Sequence, residues 1–193
     1  MNRNRGGIAR SLLRGQRANP SRWHVITGAP CSGKTTAIKH LQGLGYDVVH
    51  EVARAYMDEQ LQQGKTIQQV RGDELAFERR ILEKNIQIES CLSEGAFIFL
   101  DRAVPDSIAY FKLAGFDPVE PLQYSRMFRY GKIFLFERLD FQPDAVRIDP
   151  EEKLEALENF LLESYQGLGY DVIRVPPLQV EDRVALVLDR IKM

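Results

Sequence analysis

The sequence predicts an α/β fold, a three-layer αβα sandwich built around a mostly parallel, five-stranded sheet. Two observations predict it. Five short apolar runs alternate with stretches of helical spacing, the alternation that produces a parallel sheet. Residues 28–35 also read Gly-Ala-Pro-Cys-Ser-Gly-Lys-Thr, a complete G-x-x-x-x-G-K-[ST] phosphate-binding loop set between the first run and the first helix.

The elements follow in order. Trp23-His24-Val25-Ile26 is a short buried strand. Residues 34–43 have helical spacing, with Ile38 and Leu41 on one face. Asp47-Val48-Val49 is the second strand, and 53–63 and 73–93 are helices separated by a polar break at Gln62-Gln63-Gly64-Lys65. In the longer helix Leu75, Ile81, Leu82, Ile86 and Ile88 recur near three- and four-residue steps. Phe97-Ile98-Phe99-Leu100 is the third strand, followed by helices over 105–114 and 121–129. Residues 132–136 form the fourth strand, 150–166 a helix, 171–175 the fifth strand and 180–192 the last helix. Asp149-Pro150-Glu151-Glu152 supplies a cap, a proline at the first helical position and first-turn acids. Two near-identical stretches, Gly43-Leu-Gly-Tyr-Asp-Val-Val and Gly167-Leu-Gly-Tyr-Asp-Val-Ile, read as one helix-to-strand turn used twice.

Composition sets the class. The chain has 193 residues, 44% hydrophobic and 27% charged, as expected of a soluble domain with its own core. No stretch approaches the ~20 apolar residues of a membrane helix. Cys31 and Cys91 have no zinc-site spacing and form no disulfide framework, which fits a reducing cytoplasm. Cys31 reads as the occupant of a variable loop position. The net charge of −1 conceals an asymmetry. Residues 1–22 hold six arginines and no acid, whereas the remainder has 20 Lys+Arg against 27 Asp+Glu. The division is therefore a basic, disordered arm at 1–22 and one P-loop domain at 23–193. The arm reads first as a plain solvated tail; contact with anionic lipid or nucleic acid, and a resemblance to a transit peptide, are the alternatives. The acidity of the rest argues against nucleic-acid binding by the domain itself.

The loop carries the strongest chemistry. Its glycines let successive N–H groups point at phosphates, and the following helix adds its positive end. Gly28, Ala29, Pro30, Cys31, Ser32, Gly33, Lys34, Thr35 and Thr36 form the nucleotide cradle. Lys34 is the mobile cation for the phosphates, and Thr35 supplies a hydroxyl to Mg²⁺. The expected ligands are ATP, or GTP, with Mg²⁺.

Phosphoryl transfer needs a metal, positive charge and often a base, gathered beyond the carboxyl ends of the strands. The third strand ends in Asp101-Arg102 after four apolar residues, the pattern of a Walker B carboxylate; a turn or cap residue is the other reading. The second strand ends in His50-Glu51-Val52-Ala53-Arg54 and is expected beside the third, so that Glu51 and Asp101 face one site. One of the two would bind metal and the other would orient or deprotonate an acceptor hydroxyl; a first-turn helix acid is the alternative for Glu51. Arg54 would hold an acceptor group or pair with Glu51. Residues 137–147 have the length and charge of a lid, with Arg147, then Arg138, closing over the phosphates or serving as surface ion-pair partners. Asp106 reads first as a helix cap and second as a site residue. The three histidines, His24, His40 and His50, have no metal-ligand spacing. There is no Asn-Lys-x-Asp, no Asp-x-x-Gly switch and no Leu-Ser-Gly-Gly-Gln segment, which disfavours signalling GTPases and transporter ATPases.

The chain resembles the small P-loop proteins labelled AAA-type ATPases, whose build is nucleoside- or nucleotide-kinase-like. The resemblance rests on Ile26–Thr36, Glu51-Val52-Ala53-Arg54, Asp101–Tyr110 and Asp144–Glu152, which stand in the family's order across about residues 23–190. It is similar to the nicotinamide riboside kinase domain of the bifunctional NAD regulator and to animal GTP- and phosphoinositide-binding relatives. The resemblance implies nucleotide binding at Gly33, Lys34, Thr35 and Thr36, with site roles for Glu51, Arg54, Asp101, Arg102 and Arg147. Ala103 and Ala145 stand where the family usually has glycine. Asp101-Arg102 also differs from the Asp-x-Asp-like ending of the riboside kinases. The expected function is a small-molecule kinase acting on a nucleoside-like or other small hydroxyl or phosphate acceptor. The alternative is an ATP- or GTP-dependent switch or slow NTPase with a protein or phosphoinositide partner.

Overall fold

A computed structural model describes residues 21–139 and 150–192. The basic arm up to residue 20, and the stretch 140–149 with Arg147, lie outside the described residues.

Five strands form one sheet: β1 (Trp23–Thr27), β2 (Asp47–Val49), β3 (Ile98–Asp101), β4 (Ile133–Phe136) and β5 (Val172–Val175). Their order is β2-β3-β1-β4-β5 and every pairing is parallel. The expected neighbours β2 and β3 pair, with Val49 opposite Leu100. Helices connect the strands: α1 (Lys34–Gly43), α2 (Val52–Gln62), α3 (Ile67–Arg71), α4 (Glu74–Cys91), α5 (Asp106–Leu113), α6 (Val119–Ser125), α7 (Glu151–Gly167) and α8 (Val180–Lys192).

Alternation along the strands explains the three layers, because successive side chains point to opposite faces. Ile26, Phe99, Phe134 and Phe136 pack with Ile38 and Leu41 of α1 and with Val184 and Val187 of α8. Val25, Leu100 and Ile133 pack with Leu82 of α4, Phe111 of α5 and Tyr165 of α7, while Leu135 meets Leu157 and Leu161 of α7. Both faces of the sheet are thus buried, which is why its strands read as continuous apolar runs.

The repeated turn is the same structure twice. Gly45 and Gly169 take φ of 90° and 85°, a region open to glycine. Gly45 N–H donates to Gln42 and Tyr46 N–H to Leu41, and Gly169 and Tyr170 repeat this with Gln166 and Tyr165. The two copies lead into β2 and β5, the two edge strands.

The insertion between β2 and β3 has three helices where two were expected. The extra one, α3, starts at a capping box in which Thr66 Oγ1 accepts the Gln69 N–H and Gln69 Oε1 accepts the Thr66 N–H. α4 begins one residue later than expected because Asp73 caps it, accepting the Ala76 N–H. α6 starts after Pro118 rather than at 121. Pro150 occupies the cap position of α7 instead of its first turn, and its carbonyl accepts from Lys153 and Leu154.

Candidate active site

β1 leads the chain directly into the phosphate loop. Gly28 sits at φ 146°, and a Cβ there would stand 2.4 Å from the Phe136 carbonyl oxygen of β4. Only glycine fits that approach. Lys34 Nζ donates to the Ala29 carbonyl at 2.9 Å and to Ser32 Oγ at 3.1 Å, inside the curl of the loop. Burial, then the Arg102 charge, brings Lys34 down to about 7, against the pull of Asp101, Glu51 and Asp106. The first turn of α1 holds Thr35 and Thr36 and no acid, so the positive helix end is not offset locally. Cys31 is exposed, at φ 62°.

Behind the loop lies Arg183 of α8, 2% exposed. It donates to the carbonyls of Ser32, of Pro176 at 2.6 Å and of Glu137 at 2.7 Å, and its guanidinium carbon stands 4.9 Å from the Phe136 ring centre. Burial lowers its pKa. Sequence reasoning missed Arg183: it is a charged residue within an amphipathic helix, and only the third dimension brings it to the loop.

The strand ends bring the expected acids together. Asp101 closes β3 beside Ile26, is 2% exposed, and neither carboxylate oxygen accepts a hydrogen bond from any described residue. Burial pushes it up to about 6, while Lys34 and Arg102 pull it down and Glu51 and Asp106 push it further up. A buried carboxylate without donors, near the Lys34 cation, fits a divalent metal ion better than a turn residue. Among the described residues no cluster of three or more His, Cys, Asp or Glu would hold a metal alone. The remaining ligands would come from the Thr35 hydroxyl, phosphate oxygens and water.

Glu51 precedes α2 without capping it through its side chain. Its carboxylate accepts from Arg102 Nε at 3.1 Å. Burial pushes Glu51 up, but the charges of Arg102 and Lys34, the Arg102 hydrogen bond and the Arg54 charge outweigh it and hold the carboxyl below its ordinary value. Arg102, expected on the acceptor side, lies in the cleft with its guanidinium engaged by two acids, since Nη1 donates to Asp106 Oδ1 at 3.2 Å. Its backbone is left-handed at φ 69°, and its guanidinium carbon stands 5.2 Å from the Tyr110 ring centre. Arg54 lines the same cleft and is exposed.

Asp106 does not cap α5 through its side chain. Its Oδ1 accepts from Thr27 Oγ1 at 2.6 Å and from Arg102; its Oδ2 accepts from the Ala103 N–H at 3.1 Å and from the Tyr165 hydroxyl. It therefore ties β1, the turn after β3, and α7 together behind Glu51. Arg138 takes the ion-pair reading, with Glu151, Glu155 and Glu158 of α7 around it.

Lys34, Thr35, Glu51, Arg54, Arg102 and Asp106 line one cleft of about 930 Å³, whereas Asp101 is buried outside its lining. The cleft runs from the phosphate loop past Glu51 and Arg102 to the inner face of α4, where Phe77, Glu78, Ile81 and Asn85 lie. A second cleft, of about 460 Å³, lies on the other side of the loop between Gly33, Thr36, Leu139, the 177–180 segment and Arg183. The insertion was the expected place for acceptor-binding elements, but sequence reasoning named none of these α4 residues, although Glu78 and Asn85 interrupt an apolar helical stripe and give a readable signal.

The family model described as an AAA domain matches residues 23–183. Among curated protein sequences none matches. The fold is similar to thymidylate kinase from Ehrlichia chaffeensis, with a TM-score of 0.65 at 12% identity over 91% of this chain and 100% of that one. NadR protein in complex with NR gives a TM-score of 0.65 at 17% identity, covering 89% of this chain and 50% of that chain. Deoxyadenosine kinase from M. mycoides gives 0.59 at 15% identity, covering 88% and 98%. At these identities the likeness is one of fold. No helix among the described residues is long and apolar enough to cross a membrane.

Proposed function

Because the chain belongs to the AAA domain family and shares its fold with thymidylate and deoxyadenosine kinases, we propose that it is a Mg²⁺-dependent kinase that transfers the γ-phosphoryl group of ATP, or GTP, to a small acceptor. One observation carries this reading: the phosphate loop and the Arg102-backed Glu51 line the same cleft of about 930 Å³. A nucleotide switch needs no second wall of that kind.

In this reading the loop N–H groups and Lys34 hold the β- and γ-phosphates. The base of the nucleotide lies in the second cleft, against Leu139, Pro177 and Leu178. Mg²⁺, held by Asp101 and the Thr35 hydroxyl, supplies charge neutralisation between the phosphates when bound. Glu51 orients the acceptor hydroxyl. As the acceptor oxygen bonds to the γ-phosphorus and the bond to the β-phosphate oxygen breaks, the hydroxyl proton passes to Glu51. Its low proton affinity suits it more to orientation than to strong general-base catalysis. The products are the phosphorylated acceptor and ADP or GDP.

The test uses two variants. Lys34→Ala is expected to weaken binding of a fluorescent ATP analogue at least ~100-fold, and unchanged binding overturns the nucleotide site. Glu51→Gln is expected to keep that affinity and reduce acceptor phosphorylation roughly 10²- to 10⁴-fold. If no hydroxyl compound raises ADP release and Glu51→Gln leaves hydrolysis unchanged, the switch reading replaces the kinase.

A further inference from the structure

Arg102 backs Glu51 from an unfavourable backbone. At φ 69° its left-handed conformation must be held by the turn that follows, between β3 and α5. Three successive amides anchor that turn. The Arg102 N–H donates to the Ile26 carbonyl of β1 at 3.0 Å, and the Ala103 N–H donates to Asp106 at 3.1 Å. The third belongs to Val104, which is wholly withdrawn from water, and it donates to Oε1 of Glu89 at 2.8 Å. Glu89 stands in the last turn of α4, and its Oε2 accepts the Tyr130 hydroxyl at 2.6 Å.

Stability alone does not account for this acid. Glu89 is 2% exposed, lies at the negative end of α4 with no basic residue in that turn, and has no ion-pair partner among the described residues. Burial raises it to about 8 against the Tyr130 and Val104 bonds, and Asp106 adds to the rise, so at neutral pH it is an uncharged acid. An apolar side chain would serve a core better at such a place. Nor does Glu89 line the cleft. What it bonds is the backbone two residues after Arg102.

We propose that Glu89 is a positioning residue of this site: by holding the Val104 N–H it fixes the turn that places the Arg102 guanidinium between Glu51 and Asp106. The inference rests on the kinase reading and deepens it with a residue outside the cleft. Without Glu89 the Val104 N–H loses its partner where water does not reach, and the turn must move to find another. Arg102 moves with it, since one residue joins the two. Its guanidinium stands 3.1 Å from Glu51 and 3.2 Å from Asp106, so a shift of about 1 Å takes it beyond both bonds.

The experiment compares Glu89→Leu, which removes the bond at similar size, with Glu89→Gln. Glutamine matches the uncharged acid in shape and keeps an oxygen for Val104, while the Tyr130 hydroxyl turns round to accept. Both are assayed at a temperature where melts show them folded. One readout is solvent exchange of the Arg102 Nε–H in NMR spectra of isotope-labelled protein, the signal being identified by its absence in Arg102→Lys. The other is acceptor-dependent ADP release, per site counted with the fluorescent ATP analogue. Glu89→Leu is expected to exchange about tenfold faster or more and to lower kcat about tenfold or more, with KM for ATP within about twofold. Glu89→Gln is expected to restore both readouts to near the wild-type values. Wild-type exchange and kcat in Glu89→Leu, equal impairment in Glu89→Gln, or a loss confined to the number of competent sites overturns the proposal. Should Glu89→Leu fail to fold, Tyr130→Phe carries the test, because it frees Glu89 Oε2. Arg102 exchange is then expected to quicken about threefold or more, and unchanged exchange overturns the proposal. If exchange changes as expected while the wild type phosphorylates no compound, the kinase reading fails and the placement of Arg102 by Glu89 stands.

Discussion

Replacing Asp106 with asparagine is a direct test of how the acceptor wall is held. The carboxylate is 2% exposed and receives four donors: Thr27 and Arg102 on one oxygen, the Ala103 N–H and Tyr165 on the other. Asparagine keeps the shape, but only one of its two terminal atoms accepts. Whichever way the amide turns, one obligate donor, Arg102 or the Ala103 N–H, faces an N–H₂, and the hydroxyl beside it must turn round to accept. Hydrogen bonds to a charged group are worth about 1.5–3 kcal/mol each, and Arg102 also loses one of its two counter-charges while buried. The expected loss is therefore about 3–5 kcal/mol, a large part of the ~5–15 kcal/mol that holds a domain together. At roughly 2–4 °C per kcal/mol for a domain of this size, the midpoint should fall by about 10 °C. Urea and thermal melts at pH 7 measure both quantities. Tyr165→Phe and the double variant complete a cycle, in which the two changes should couple by about 1 kcal/mol or more. A loss below about 1 kcal/mol, or strict additivity with Tyr165→Phe, would refute the reasoning that one carboxylate organises this wall.

Two further outcomes follow from single residues. Gly28→Ala should abolish nucleotide binding and destabilise by about 2 kcal/mol or more, since the new Cβ meets the Phe136 carbonyl at 2.4 Å. Gly45→Ala, with nothing within 4 Å of its Cβ, should cost only the left-handed penalty of about 1–2 kcal/mol; equal losses in the two melts would show that the close contact is not decisive. Burial moves Glu89 from 4.5 up to about 8, against the Tyr130 hydroxyl and Val104 N–H that bond it at 2.6 and 2.8 Å. Its folded form holds a proton that the unfolded chain has released, so its contribution to stability is fullest below about pH 4.5 and is lost as pH rises through about 8. Glu89→Gln should make that decline shallower in melts at pH 5, 6, 7 and 8, and an unchanged slope would assign it to other groups.

The strands were legible because both faces of the sheet are buried, so Val25-Ile26, Phe99-Leu100 and Phe134-Leu135 announce themselves as apolar runs. Glu51, Asp101 and Lys34 were legible because phosphate chemistry gathers at strand ends, where a polar residue stands out against such a run. The short α3 had a signal in Thr66-x-x-Gln69 that a polar break concealed. Ile88 fits the helical period but is 37% exposed, because spacing alone cannot tell which side of a wide stripe meets the core. Arg183 and Tyr165 were not legible as site residues, and Asp106 was read first as a cap. The contacts that give Tyr165 and Arg183 their roles cross 59 and 151 residues of chain, between groups whose local surroundings are those of ordinary helical positions.

Arg183 also bears on the order in which the protein becomes competent during its synthesis. Ser32 leaves the ribosome early, but the guanidinium that grips its carbonyl is encoded 151 residues later. At roughly 5–20 residues per second, the nascent loop waits on the order of ten to thirty seconds before its clamp emerges. A fragment ending before α8 would carry every residue of the phosphate motif without the guanidinium that holds the Ser32 carbonyl. Affinity for nucleotide would then report that α8 has emerged and docked behind the loop.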